Sequence, residues 1–243
     1  MTKRTSLDHP GEHRWETRLL IVVTATLTVF GIASVYSAAS FQERALQEVL
    51  KQLIGAAIGA VALAGAARID YRRWRGWAWP SMIITLILLG ILLLPWMGSV
   101  VPRINGARRW LSLKGAGTIQ PSEIARFVIV VWAAMIAAKK GEQIREFKKG
   151  MMPVLAITGF TSLLILAEPN LSMATIVALS AGVVLFTAGA RIGHFMLTGV
   201  VGVFVAAGAI VAASYRYQRF GCFFGLVANC KEGTDWQLTQ ATN

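Results

Sequence analysis

The sequence predicts an all-α fold: a polytopic integral membrane helix bundle. Three observations carry that prediction. Of 243 residues, 55% are hydrophobic and only 15% charged, whereas soluble domains carry about 25% charged residues. The mean hydropathy is +0.57. Stretches free of charged side chains follow one another at 19–42, 52–67, 76–102, 127–138, 150–167, 169–190 and 192–215. They show no strand-like alternation, and a lone segment this apolar satisfies its backbone in a bilayer only as a helix.

About 20 apolar residues cross the hydrocarbon as a helix. The first, third, sixth and seventh stretches reach that length unaided. The second needs residues 45–51 and the fourth needs residues 121–126. The fifth is short and stops at Glu168-Pro169, because proline lacks the helix N–H and clashes with the preceding turn. The first stretch follows Lys3, Arg4, Arg14 and Arg18 and contains Ser37-Ala38-Ala39, as a signal peptide would. Its run exceeds the roughly 7–15 residues of a signal h-region, so it is expected to remain as a span.

The expected layout is a cytoplasmic N-terminus at 1–18 and a seven-span bundle at 19–214 with a basic outer loop at 98–121. A large outer loop begins at 215–243. That tail is polar, carries Gly221, Gly225 and Gly233, and reads as a chain interrupted inside the loop. No internal repeat or low-complexity tract is evident.

Lys and Arg favour cytoplasmic segments. Placing the N-terminus inside puts 1–18, 68–75, 139–149 and the turn at Arg191 on that side. The loop after the third span opposes the trend with Arg103, Arg108, Arg109, Lys114 and, at the next span, Arg126. The formal net charge of +12 thus reads as attraction to the inner leaflet plus one outer cationic patch. Nucleic acid is a poor partner, since the cations are split across two membrane faces and no nucleic-acid motif accompanies them. Residues 68–75, with Trp77 and Trp79, read as an interfacial belt, and residues 139–149 as a similar polar turn.

Cys222 and Cys230 both fall in the outer tail. A disulfide is open to them in an oxidising compartment; two unpaired small apolar residues is the plainer reading. His9, His13 and His194 lie far from them in sequence, so no metal spacing exists. Phosphate-cradling glycine loops, nucleophile elbows and His-Glu-x-x-His motifs are absent. No nucleotide cofactor is expected, and a divalent cation is neither specified nor excluded.

Three constellations remain. Pro121 suits the first position of a helix, which puts Glu123 in the first turn, where the helix dipole favours a carboxylate. Arg126, three residues on, shares its face. Either this is a capped helix with one interfacial ion pair, or it is a polar face in a substrate groove. Arg108-Arg109-Trp110, with Arg103 and Lys114, suits phosphate, because guanidinium groups bind its oxygens bidentately. A generic anionic-lipid patch would look the same. Residues 167–172 interrupt two apolar helices at Glu168-Pro169-Asn170, either as a tight turn or as the lining of a cavity. Met151 and Met152 read as packing.

Together these segments resemble the SEDS family (shape, elongation, division and sporulation), which includes FtsW, RodA and SpoVE. The matching pieces are Val35-Tyr-Ser-Ala-Ala, Asn105-Gly-Ala-Arg-Arg-Trp, Ile119-Gln-Pro-Ser-Glu, Glu168-Pro-Asn-Leu and Gly233-Thr-Asp-Trp-Gln-Leu-Thr-Gln. Their order matches over nearly the whole chain. The Arg-Trp to Gln-Pro-Ser-Glu pair is the most specific, and the first and last pieces look most like FtsW.

The resemblance implies a peptidoglycan glycosyltransferase of the bacterial inner membrane, serving cell division or cell shape. It would join lipid II units on the outer face, with undecaprenyl pyrophosphate as leaving group. It also implies about ten spans in all and, as partners, a class B penicillin-binding protein and other divisome proteins besides the membrane lipids. The basic loop would then bind pyrophosphate, and Glu123 matches a functional carboxylate of the family. The candidate substrate-binding set is Arg103, Arg108, Arg109, Trp110, Lys114, Glu123, Arg126 and Glu168.

The sequence departs from the family at three places. Arg126 replaces the usual lysine. Asn170 and Ser172 replace Asp and Gly. The family's catalytic aspartate falls beyond Asn243, so no catalytic residue is expected within these residues and the chain alone is expected to be inactive. A lipid-linked precursor flippase and a non-catalytic divisome scaffold are the rival readings. Glycosyl transfer needs an outer carboxylate to deprotonate the acceptor hydroxyl; flipping does not.

Overall fold

The structure is a computed structural model that describes residues 13–39, 45–98, 100–103, 107–113 and 117–223. The chain divides into two compact units, residues 1–70 and 71–243.

In the first unit, α1 (His13–Ala39) packs along α2 (Ala45–Arg68). Neither helix buries any of its span-length apolar window. A helix apolar on all sides is a membrane span rather than a soluble surface helix. Two of the hydroxyls in α1 are satisfied locally: Thr28 Oγ1 donates to the Thr24 carbonyl at 2.8 Å and Ser34 Oγ to the Phe30 carbonyl at 2.9 Å.

The second unit runs α3 (Tyr71–Leu93), a small antiparallel hairpin of β1 (Leu111–Leu113) and β2 (Gly117–Ile119), then α4 (Pro121–Lys140). A 3-10 turn (Gly141–Arg145) and a π-helical turn (Phe147–Met151) lead into α5 (Met152–Ala167). It finishes with α6 (Leu171–Thr187), α7 (Ile192–Val211) and α8 (Ser214–Phe223). Helix α4 lies at the centre, in contact with α3, α5 and α6. Its buried residues Ser122, Ala125, Val128, Ile129, Trp132, Ala133, Ile136 and Ala137 recur every three or four positions and so form one face. Alanine along that face lets neighbouring backbones approach closely. Met82 and Leu89 of α3 and Val177 and Leu185 of α6 complete this core. Trp79 meets the buried Trp132 edge-on, with ring centroids 5.5 Å apart.

Among the described residues, six helices are long and apolar enough to cross a membrane. The expected sixth span is the exception: its helix holds 17 residues, about 26 Å at 1.5 Å per residue. Both ends cut it short. Pro169 and Asn170 belong to the break before it, where Asn170 Oδ1 accepts from the Met173 N–H at 3.3 Å as an N-cap. At the far end Gly189 adopts φ +87°. There Gly189 N–H donates to the Phe186 carbonyl and Ala190 N–H to the Leu185 carbonyl, the paired bonds of a Schellman stop. The fifth span is longer than its charge-free run suggested, because the π-helical turn extends it to 21 residues, Phe147–Ala167. Met151 is buried, whereas Met152 is half exposed.

Three local expectations are corrected. The basic loop contains a strand pair, too short to show alternation. The start of the expected outer loop is helical: α8 follows α7 after a two-residue turn, and Arg216 Nη1 reaches the Ala209 carbonyl at 3.0 Å. Cys222 is disulfide-bonded rather than free, and Cys230 lies outside the described residues.

Candidate functional site

The loop after α3 is folded, not extended. Val101 N–H returns to the Met97 carbonyl at 2.8 Å, and Ser112 N–H donates to the Val100 carbonyl at 2.8 Å. Val101 and Ala107 are buried. Leu111 pairs with Ile119, delivering the chain to the start of α4. Lys114, with Asn105 and Gly106 of the matching motif, lies outside the described residues.

Between these anchors, Arg108 and Arg109 lie outside any helix or strand and point to different places. Arg108 Nη1 and Nη2 donate to the Leu94 and Pro95 carbonyls, at 3.1 and 3.4 Å, just past the end of α3. Its Nε is buried without a hydrogen-bond partner. Arg109 Nε donates to the Glu168 carbonyl at 3.2 Å, and its Nη2 donates to the Pro169 carbonyl. Each arginine therefore caps the carbonyl end of a different helix, α3 or α5. Cations belong there, because the last carbonyls of a helix are unsatisfied and carry partial negative charge.

The Arg109 contact joins two motifs 59 residues apart in sequence. It ties the cationic loop to the break between α5 and α6. At that break Glu168 is 1% exposed, and both of its carboxylate oxygens are buried without a hydrogen-bond partner. It sits one residue past the span Phe147–Ala167. Burial pushes its carboxyl up to about 8 from 4.5, against the opposing pull of the Arg109 guanidinium. An ionised carboxylate out of contact with water is costly unless paired and hydrogen-bonded, so the group keeps its proton.

The other candidates stand apart from this junction. Glu123 and Arg126 form an exposed ion pair with each other, at 2.9 Å, on the face of α4 opposite its core. Pro121 opens α4 as expected, and Gln120 Nε2 donates to Ser122 Oγ at 2.9 Å. Arg103 is exposed and Trp110 half-buried. Among the described residues no cluster of His, Cys, Asp and Glu could hold a metal ion.

Sequence reasoning missed that the two arginines diverge, and it missed the Asn170 cap. Asparagine at that position was a legible capping signal. The divergence was not, because it depends on where α5 ends in space.

A family profile described as "Cell cycle protein", covering FtsW, RodA and SpoVE, matches residues 17–243. The chain belongs to the FtsW/RodA/SpoVE family. It is 33% identical over 223 residues to stage V sporulation protein E of Bacillus subtilis, covering 90% of this chain and 57% of that protein. It is 32% identical over 229 residues to the probable peptidoglycan glycosyltransferase FtsW of Trichlorobacter lovleyi, covering 92% and 58%. The chain thus spans less than two thirds of these relatives. Among solved structures, a point mutant of the rod shape determining protein RodA of Thermus thermophilus aligns with TM-score 0.58 and 26% identity, over 77% of this chain and 57% of that one. A structure describing coordinated polymerization and crosslinking by a peptidoglycan synthase complex aligns with TM-score 0.57 and 25% identity, over 88% and 63%. The all-α membrane bundle read from the sequence is the fold these FtsW/RodA/SpoVE relatives share.

Proposed function

We propose that this chain is the substrate-grasping part of a peptidoglycan glycosyltransferase that polymerises lipid II at the outer face of the inner membrane. The observation that carries the reading is the Arg109 junction, which brings the most specific family motif against the Glu168-Pro169-Asn170 break. A guanidinium has five N–H donors. Two go to the carbonyls of Glu168 and Pro169, and the others remain for phosphate oxygens. Arg103 adds an exposed cation. Arg108 serves the same task indirectly, by fixing the loop to the end of α3. Glu123 and Arg126 lie on the exposed face of α4, which we assign to the acceptor or donor sugar.

The N-terminus is then cytoplasmic and the Arg109 junction external. A class B penicillin-binding protein is the expected partner, a reading supported by the likeness to a peptidoglycan synthase complex described as coordinating polymerization and crosslinking.

The test is glycan polymerisation by the intact protein with its partner synthase. Arg109→Ala should lower the rate roughly tenfold or more, the worth of one charge-assisted hydrogen bond of about 1.5–3 kcal/mol. Glu123→Ala should also impair it while leaving the fold intact. Wild-type rates in both variants would reduce the loop to a membrane anchor.

A further inference from the structure

We propose that Glu168 is a proton-dependent positioning residue: its neutral carboxyl leaves the Arg109 charge available to an anion, and its ionisation withdraws that charge. The proposal rests on the anion-binding role given to Arg109 above and adds what controls it.

Geometry supplies the argument. Arg109 is held over the Glu168 main chain by its bond to that residue's own carbonyl, at 3.2 Å. The Glu168 carboxyl is buried beside it with both oxygens unpartnered. The guanidinium therefore has two competing uses for its charge close at hand. While Glu168 is neutral, the described groups that oppose the cation are backbone dipoles, and a pyrophosphate group feels its positive charge. Once Glu168 ionises, a carboxylate competes for the same guanidinium and repels an incoming anion.

Among the described residues, little else near the junction titrates. Helix α3 after Gly76, helix α5 from Met152 and helix α6 carry no charged side chain. On α4, Glu123 and Arg126 neutralise each other. In the loop, Arg108 is committed to the Leu94 and Pro95 carbonyls and Arg103 is exposed. The Arg109 guanidinium is the charge that acts on Glu168, and it pulls against the burial that raises the carboxyl to about 8. Linkage makes the coupling reciprocal: a bound anion must hold the Glu168 proton more tightly.

The test measures binding of a short polyprenyl pyrophosphate, farnesyl pyrophosphate, to the intact protein in nanodiscs between pH 7 and pH 9. If only the neutral form binds, the wild-type dissociation constant rises roughly tenfold across that range, following the loss of the competent fraction. Glu168→Gln cannot ionise, so its profile should follow only the titration of the probe and its affinity at pH 9 should exceed that of the wild type. Parallel profiles in the two proteins, with binding retained, would overturn this inference and leave the polymerase reading standing. No binding by either protein at either pH would remove the anion site itself, and this inference with it. Should the variant misfold, infrared spectroscopy of the wild type alone suffices: a buried protonated carboxyl band should be present at pH 7, vanish toward pH 9, and persist to higher pH with the probe bound. A band insensitive to the probe would overturn the coupling.

Discussion

At the scale of single residues, adjacent arginines with one sequence signature do two jobs, capping two different helices. The sequence announced the cations. It could not announce the divergence, which depends on a carbonyl end supplied 59 residues later. Glu123 and Arg126 were legible as a pair because residues three apart share a helix face. Half-exposed as they are, their pairing adds only about 0–1 kcal/mol to stability. Glu168 was legible as a break residue but not as a buried acid. Its carboxyl, raised from 4.5 to about 8, gives a stability prediction. The folded protein binds this proton more tightly than the unfolded chain does. The resulting stability is therefore fully present below pH 4.5 and lost as pH rises through about 8. Thermal unfolding in detergent should show the midpoint falling over that window in the wild type, and a smaller fall in Glu168→Gln. Equal falls would remove burial of Glu168 as their cause.

At the scale of elements, seven apolar helices were legible from charge-free runs, and α2 and α4 recruited the flanking residues expected of them. What periodicity missed was set by backbone stops. Gly189 and the Asn170 cap trim α6, and a π-helical turn lengthens α5. That turn depends on Gly150, where an added Cβ would lie 2.0 Å from the Gln143 carbonyl oxygen. Gly150→Ala must therefore open the packing between residues 141–145 and 147–151. It should lower the unfolding midpoint more than Gly159→Ala, a helical glycine with open space around it; equal midpoints would contradict the close approach. The three-residue strands and α8 were hidden for different reasons. The strands are too short to alternate, and α8 is too polar to register as a span.

At the scale of the whole molecule, the arginines of the loop after α3 gain a physical reason. Positive charge against the topological trend is tolerable where carbonyl ends of helices receive it, as Arg108, Arg109 and Arg216 show. Cysteine labelling in intact cells checks the orientation: a cysteine at Arg103 should react from outside, and one at Gln143 should not. The reverse pattern would invert the bundle. The central claim is that this bundle grasps lipid II for polymerisation rather than for transport. Its most direct test gives the intact protein, reconstituted in vesicles with its partner synthase, lipid II in the leaflet that faces the Arg109 junction. The account predicts glycan strands from that leaflet with no translocation of lipid II across the bilayer. Translocation without strands would contradict it and make the junction part of a flippase.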